Sequence, residues 1–170
     1  MTIRVGDPAP PGPVEAYVRD QAEPVSLEIG RSQGSWTVLF FYPRDFAFVT
    51  PAELRDFAEL EANFAAENAI VMAASTDSWY VHRAWFGTTP ALRDVTYPVI
   101  ADPAQELTRH LGVLDATDGS ARPATFIIDP EGTVRYASVA KGILRAADAE
   151  DALCILRALR SDERVLQLAA

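Results

Sequence analysis

The sequence predicts a single α/β domain, with a central mixed β-sheet flanked by helices, and three observations carry that reading. Apolar runs rich in β-formers recur at 37–42, 70–75 and 124–129. Each is continuous rather than alternating, as strands covered on both faces are. Stretches of helical periodicity stand between and after them, at 51–68 and 149–160, which is the alternation of a layered α/β fold. Finally, Pro130-Glu131-Gly132 reads as a tight turn that sends 133–139 back beside 124–129 as a hairpin, which makes the sheet mixed.

Taken in order, the first residues are rich in Pro and Gly (Gly6, Pro8, Pro10, Pro11, Gly12, Pro13) and read as an extended lead-in. Val14–Val18 and Val25–Ile29 form two short strands, with a turn-rich loop at 30–35. Pro43 stops the strand at Thr37–Tyr42, because proline has no N–H to give a ladder. Leu54, Phe57, Leu60 and Phe64 recur at helical spacing over 51–68, with Glu53, Asp56, Glu59 and Glu67 mostly on the other side. Thr50-Pro51-Ala52-Glu53 in front of them reads as a capping box with proline at the first helical position. Ile70–Ser75 is a buried strand, and 78–86 is a short helix capped by Asp77 or Ser78. Tyr97–Ile100 is a strand, and 103–111 a helix capped by Asp102 and ended by Gly112. The last helix, 149–160, turns Leu153, Leu156 and Leu159 inward.

The chain has 170 residues, without repeat, low-complexity segment or linker, so one domain spans 1–170. Hydrophobic residues make up 49% and charged residues 23%, which excludes intrinsic disorder as a description. The net charge is -9. Such a surface repels phosphate backbones and anionic lipid, so no nucleic-acid or membrane partner is expected. No apolar run approaches the roughly 18 residues that span a bilayer, and Met1–Asp7 lacks a signal-peptide core. A cytoplasmic location is the resulting expectation. The single cysteine, Cys154, allows neither an intramolecular disulfide nor a multi-thiolate zinc site. His82 and His110 lack metal-ligand spacing. No cofactor and no metal are expected.

Phe41-Tyr42-Pro43-Arg44-Asp45-Phe46-Ala47-Phe48-Val49-Thr50-Pro51-Ala52-Glu53 resembles the active-site segment of the peroxiredoxins, in the alkyl hydroperoxide reductase and thiol-specific antioxidant branch. Ser75-Thr76-Asp77-Ser78 with His82 and Trp85, Tyr97–Asp102, and Thr125–Gly132 resemble that branch's later segments in the same order. The resemblance covers most of the chain. It implies a thioredoxin-like fold of peroxiredoxin type and a homodimer or larger homo-oligomer. It also implies where a peroxidatic thiolate would stand, at the N-terminus of the helix after the first central strand, where free N–H groups and the helix dipole lower a thiol's pKa.

At that point the chain departs from the family pattern Pro-x-x-x-Thr-x-x-Cys. Pro43 keeps the proline place, but Ala47 fills the threonine place and Thr50 the cysteine place. The later arginine place holds Pro123, with Arg122 one residue earlier. The region of a resolving thiol reads Arg164-Val165-Leu166-Gln167. A hydroxyl cannot do the work of the thiolate, since its pKa lies far above the roughly 8.5 of cysteine and oxygen has no reversible sulfenic-acid stage.

Two readings of Thr50 stay open: helix capping alone, or capping together with contact to a ligand beside helix N–H groups. By fold analogy Tyr42, Asp45 and Arg122 join Thr50 as candidate catalytic groups, with Pro43, Arg44, Phe46, His82, Trp85 and Pro123 as candidate substrate contacts. Against this, Arg44 and Asp45 read first as a surface pair, and His82 as a packed or solvated histidine rather than a ligand. Pro123 resembles a proline that is cis in thioredoxins. Cys154, among Leu153, Ile155 and Leu156, reads as a buried, inert thiol. Three functions follow as expectations: a repurposed non-redox enzyme binding a small oxygen-rich or anionic metabolite in the former peroxide pocket, a non-catalytic binding or scaffold protein using its dimer surface and the apolar tail 165–170, and residual hydroperoxide reduction through Cys154.

Overall fold

The computed structural model describes residues 3–30, 34–47, 50–141 and 146–168, with side chains described as far as residue 162. Seven strands form one sheet: β1 (Pro13–Tyr17), β2 (Val25–Glu28), β3 (Trp36–Phe41), β4 (Ala69–Ser75), β5 (Val99–Ala101), β6 (Ala124–Ile128) and β7 (Val134–Val139). Their spatial order is β2-β1-β5-β4-β3-β6-β7. β4 runs parallel to both β3 and β5, and the remaining pairs are antiparallel. The expected mixed sheet is present.

Every residue of β3 is buried, and the alternation of its side chains divides the core in two. Val38 and Phe40 face one cluster, with Leu54 and Phe57 of α1 (Thr50–Glu59), Phe64 of α2 (Glu61–Ala66), Trp85 of α3 (Trp79–Thr88) and Leu156 of α5 (Ala149–Leu168). Leu39 and Phe41 face the other, with Leu107 of α4 (Glu106–His110) and Leu111. Helices therefore cover both faces. The continuous apolar pattern of β3 is explained by having no solvent side.

Several elements differ from expectation. The helix over 51–68 is two helices, broken at Leu60, whose carbonyl accepts from both Asn63 and Phe64 N–H. The apolar stripe continues across the break, so periodicity alone does not reveal it. Asn68, at φ 51°, then turns the chain into β4. β5 begins at Val99 rather than Tyr97 because Pro98 lacks an N–H; its carbonyl still accepts from Ala73 N–H at 3.0 Å. α4 begins at Glu106 rather than Pro103, after Gln105 in the left-handed region. Asp102 nonetheless caps it from a distance, accepting from Leu107 N–H (3.3 Å) and Thr108 N–H (2.8 Å). Between Asp77 and Ser78, Ser78 is the cap of α3, accepting from Val81 N–H.

The hairpin turn closes as expected, with Gly132 N–H donating to Asp129 carbonyl at 3.0 Å and Gly132 at φ 84°. Among the described residues there is no cis peptide bond, so the bond before Pro123 is trans. Cys154 lies on the exposed side of α5, which corrects the expectation of a buried thiol. The tail 165–170 lies outside the described side chains. No helix among the described residues is long and apolar enough to cross a membrane.

Candidate active site

The loop from β3 to α1 gathers most of the candidate groups. Tyr42 N–H donates to Ala74 carbonyl at 3.1 Å, so the ladder runs one residue past β3 before Pro43 ends it. The Tyr42 side chain is fully buried, and its hydroxyl donates to Asp45 Oδ1 at 2.7 Å. Burial, with the Asp45 charge beside it, pushes the phenol well above its ordinary value. Asp45 turns inward, and its Oδ2 lies 2.7 Å from Nδ1 of the fully buried His82. His82 Nε2 is 3.2 Å from the Ile100 carbonyl. Acceptors thus stand in place for a proton on either ring nitrogen. Asp45 N–H donates to Asp77 Oδ2 (2.9 Å), which also accepts from Ser75 Oγ (2.7 Å).

Trp85, also buried, closes the apolar side of this cluster, with ring centroids 6.2 Å from Tyr42 and 5.9 Å from Phe46. Phe46 itself sits at φ 59° and is 63% exposed, so it lies over Trp85 without filling a cavity.

The other candidates point elsewhere. Arg44 does not pair with Asp45. Its Nη2 donates to the Asp118 carbonyl and lies 3.6 Å from the Asp118 carboxylate. Ser120, donating to the Asp118 carboxylate from both Oγ–H and N–H, holds that carboxyl below its usual range, and Arg44 adds to the effect. Arg122 Nη2 donates to Gly112 carbonyl at 2.6 Å, and its buried Nε has no acceptor among the described residues. Thr50 is buried as the first residue of α1, one step inside the cap position expected for it. No described hydrogen bond joins it to Tyr42, Asp45 or Arg122. Pro123 lines a cavity of about 240 Å³ between β3, α1 and β6, with Phe40, Phe57, Glu53, Asp56 and Asp148.

The structure brings Tyr42, Asp45, His82, Trp85 and Phe46 together; no described hydrogen bond or ring contact joins the side chains of Thr50, Arg44, Arg122 or Pro123 to them. His82 is packed, with acceptors beside both ring nitrogens. The partners that sequence reasoning missed are Asp77, Ser75 and Asp118. Ser75 stood in a quoted motif without a role and Asp77 only as a candidate helix cap, whereas nothing local marks Asp118 as a partner of Arg44, 74 residues away. Among the described residues, no group of three or more His, Cys, Asp or Glu is arranged to hold a metal.

A seven-stranded mixed sheet with helices on both faces, and a polar cluster where β3 passes into α1, define a thioredoxin-like fold of peroxiredoxin type. Residues 5–137 match the model of the AhpC/TSA family, and the chain belongs to that family of peroxiredoxins. Alkyl hydroperoxide reductase C of Staphylococcus aureus is 42% identical over 130 residues, 76% of this chain and 68% of that protein. Among solved structures, Mycobacterium tuberculosis AhpC superposes with a TM-score of 0.82 at 30% identity, over 96% of each chain. Enterococcus faecalis AhpC gives 0.83 at 33% identity, over 100% of this chain and 98% of that one. The chain's one cysteine, Cys154, is exposed on α5.

Proposed function

We propose that this chain is a peroxiredoxin homologue that no longer reduces peroxides and acts as a non-catalytic binding protein. One observation carries the reading: Thr50 opens α1, while the only sulfhydryl, Cys154, sits on the exposed face of α5. Peroxide reduction needs a thiolate that becomes a sulfenic acid and is then reduced. A threonine hydroxyl supplies neither step, and Cys154, within α5 rather than at its start, lacks the helix N-terminal position that activates a thiol. The inward pairing of Tyr42, Asp45 and His82 agrees with a structural use of the old site, since these groups satisfy one another. Purified protein with a dithiol reductant is expected to leave hydrogen peroxide unconsumed, and Cys154→Ser to behave identically. Rapid turnover by the wild type would overturn the proposal.

The cavity beside Pro123 favours a second reading, a repurposed pocket for a small oxygen-rich metabolite. The anionic version of that ligand has weaker support, because Arg44 and Arg122 are both engaged by main-chain carbonyls. A thermal-shift screen of neutral and anionic metabolites separates the two readings. A ligand that raises Tm in wild type but not in Pro123→Leu supports the pocket, and no shift with any ligand leaves the binding-protein reading alone.

A further inference from the structure

The cavity between β3, α1, β6 and the start of α5 has a lining that discriminates among ligands. Its buried wall is apolar. Phe40 and Phe57 stack there, with ring centroids 3.9 Å apart and 6° between their planes, and Phe41 and Ala124 are buried beside them. Five of the described lining residues are alanine, whose short side chains leave the space open. A dry apolar cavity of about 150 Å³ is enough to hold benzene. At about 240 Å³, this one has room for an aromatic ring and a short arm.

The solvent side of the same lining is acidic. Glu53, Asp56 and Asp148 stand on it, and no Lys, Arg or His is among the described lining residues. Glu53 already has a partner. Asp56 and Asp148 are exposed and form no ion pair among the described residues. Asp148 Oδ1 accepts from Asp151 N–H at 3.0 Å and so caps α5, which leaves its charge uncompensated by any cation. The nearby start of α5 favours anions, but a helix N-terminus carries only about half a positive charge, against two full negative ones. We propose that this cavity binds a primary arylalkylamine, with its ring against Phe40 and Phe57 and its ammonium toward Asp56 and Asp148. Burial of the ring drives binding, and the two carboxylates select the charge of the arm. The proposal rests on the reading of this cavity as a ligand pocket and puts a cation in place of the oxygen-rich class.

Three probes of one shape and different charge test it: 2-phenylethylamine, 2-phenylethanol and phenylacetate, titrated into the full chain while the amide NMR signals of Phe57, Thr125 and Ala149 are followed. In about 0.05 M NaCl the amine is expected to bind about fivefold tighter than the alcohol, the size that two exposed ion pairs give, and phenylacetate most weakly. The preference should shrink in about 1 M NaCl. The double variant Asp56→Asn, Asp148→Asn removes both charges and keeps the α5 cap, since Asn caps as well as Asp does. It should bind amine and alcohol alike, with the alcohol's Kd as in wild type. An alcohol that binds wild type as tightly as the amine overturns the proposal and leaves the pocket standing, and so does a preference for the amine that survives the double variant. Silence at these amides with all three probes also overturns it, and the pocket is then judged by the metabolite screen alone.

Discussion

Asp45 carries more of the site's organisation than any other side chain. It accepts from Tyr42 and pairs with His82, and all three groups are buried. Tyr42→Phe removes one donor from a buried carboxylate and is expected to cost about 1–2 kcal/mol in urea unfolding. Asp45→Ala leaves a buried phenol and a buried imidazole without their acceptor, and should cost about 3–5 kcal/mol. Tyr42 and Tyr97 also set an alkaline limit. Both phenols are pushed well above 10.0, mainly by burial, and Tyr97 donates to Leu54 carbonyl at 2.7 Å. A group whose folded pKa is raised adds stability that is complete below its unfolded value and lost as pH rises toward the folded one. Stability should therefore fall above pH of about 10. Replacing both tyrosines by Phe should flatten that fall, as read from denaturant midpoints across alkaline pH. Little of this was legible beforehand. Arg44-Asp45 looks in sequence like one exposed pair, and its division into an outward and an inward residue follows from the turn through Phe46, which no residue-type preference announces.

At the scale of elements, legibility depended on whether a signal was local. β3 and the β6–β7 hairpin were readable because an unbroken apolar run and a Pro-x-Gly turn are written within a few residues. The break at Leu60 and the late start of α4 were not, since one depends on register continuing across an interruption and the other on Asp102 capping from several residues upstream. The docking of α5 was equally hidden. Glu67, just after α2, receives Arg157 Nε at 3.0 Å and Arg160 Nη1 at 2.6 Å, 90 and 93 residues away. The hydrogen bond from Arg157, with both guanidinium charges, holds the Glu67 carboxyl below its usual range. A carboxyl with a lowered folded pKa contributes stability that is present above its unfolded value and lost as pH falls through the folded one. Glu67→Gln is accordingly expected to lower stability at neutral pH by about 1 kcal/mol or less, as partly exposed pairs do. The difference from wild type should vanish in acid and shrink in high salt, as measured by circular dichroism during urea unfolding.

The whole molecule poses the question of assembly. β7 is the last strand of the sheet, hydrogen-bonded on one side to β6; on the other, its first residue, Val134, exchanges bonds with Gly6 N–H (2.8 Å) and Asp7 carbonyl (2.9 Å), and no further described strand lies beyond 135–139. Unpaired edges invite pairing with another chain unless they are shielded. Within β7 there is no proline, and its one charged residue, Arg135, lies 3.3 Å from Asp129 of its own chain. Membership of a family whose members are typically homo-oligomers gives the same expectation from a different side. A net charge of -9 opposes close approach of two copies at low ionic strength. Light scattering after size exclusion should therefore show a mass at least twice the 18.5 kDa of the chain, with the larger species favoured as salt is raised. A second substitution locates the contact. Ala137→Pro in β7 removes a backbone N–H from the strand, and it should convert the assembly to monomer if β7 is the joining edge. If the mutant keeps its far-ultraviolet circular dichroism and its assembled mass, the copies join through another surface. A wild-type mass equal to one chain at every salt concentration would show that this member of the family works as a monomer.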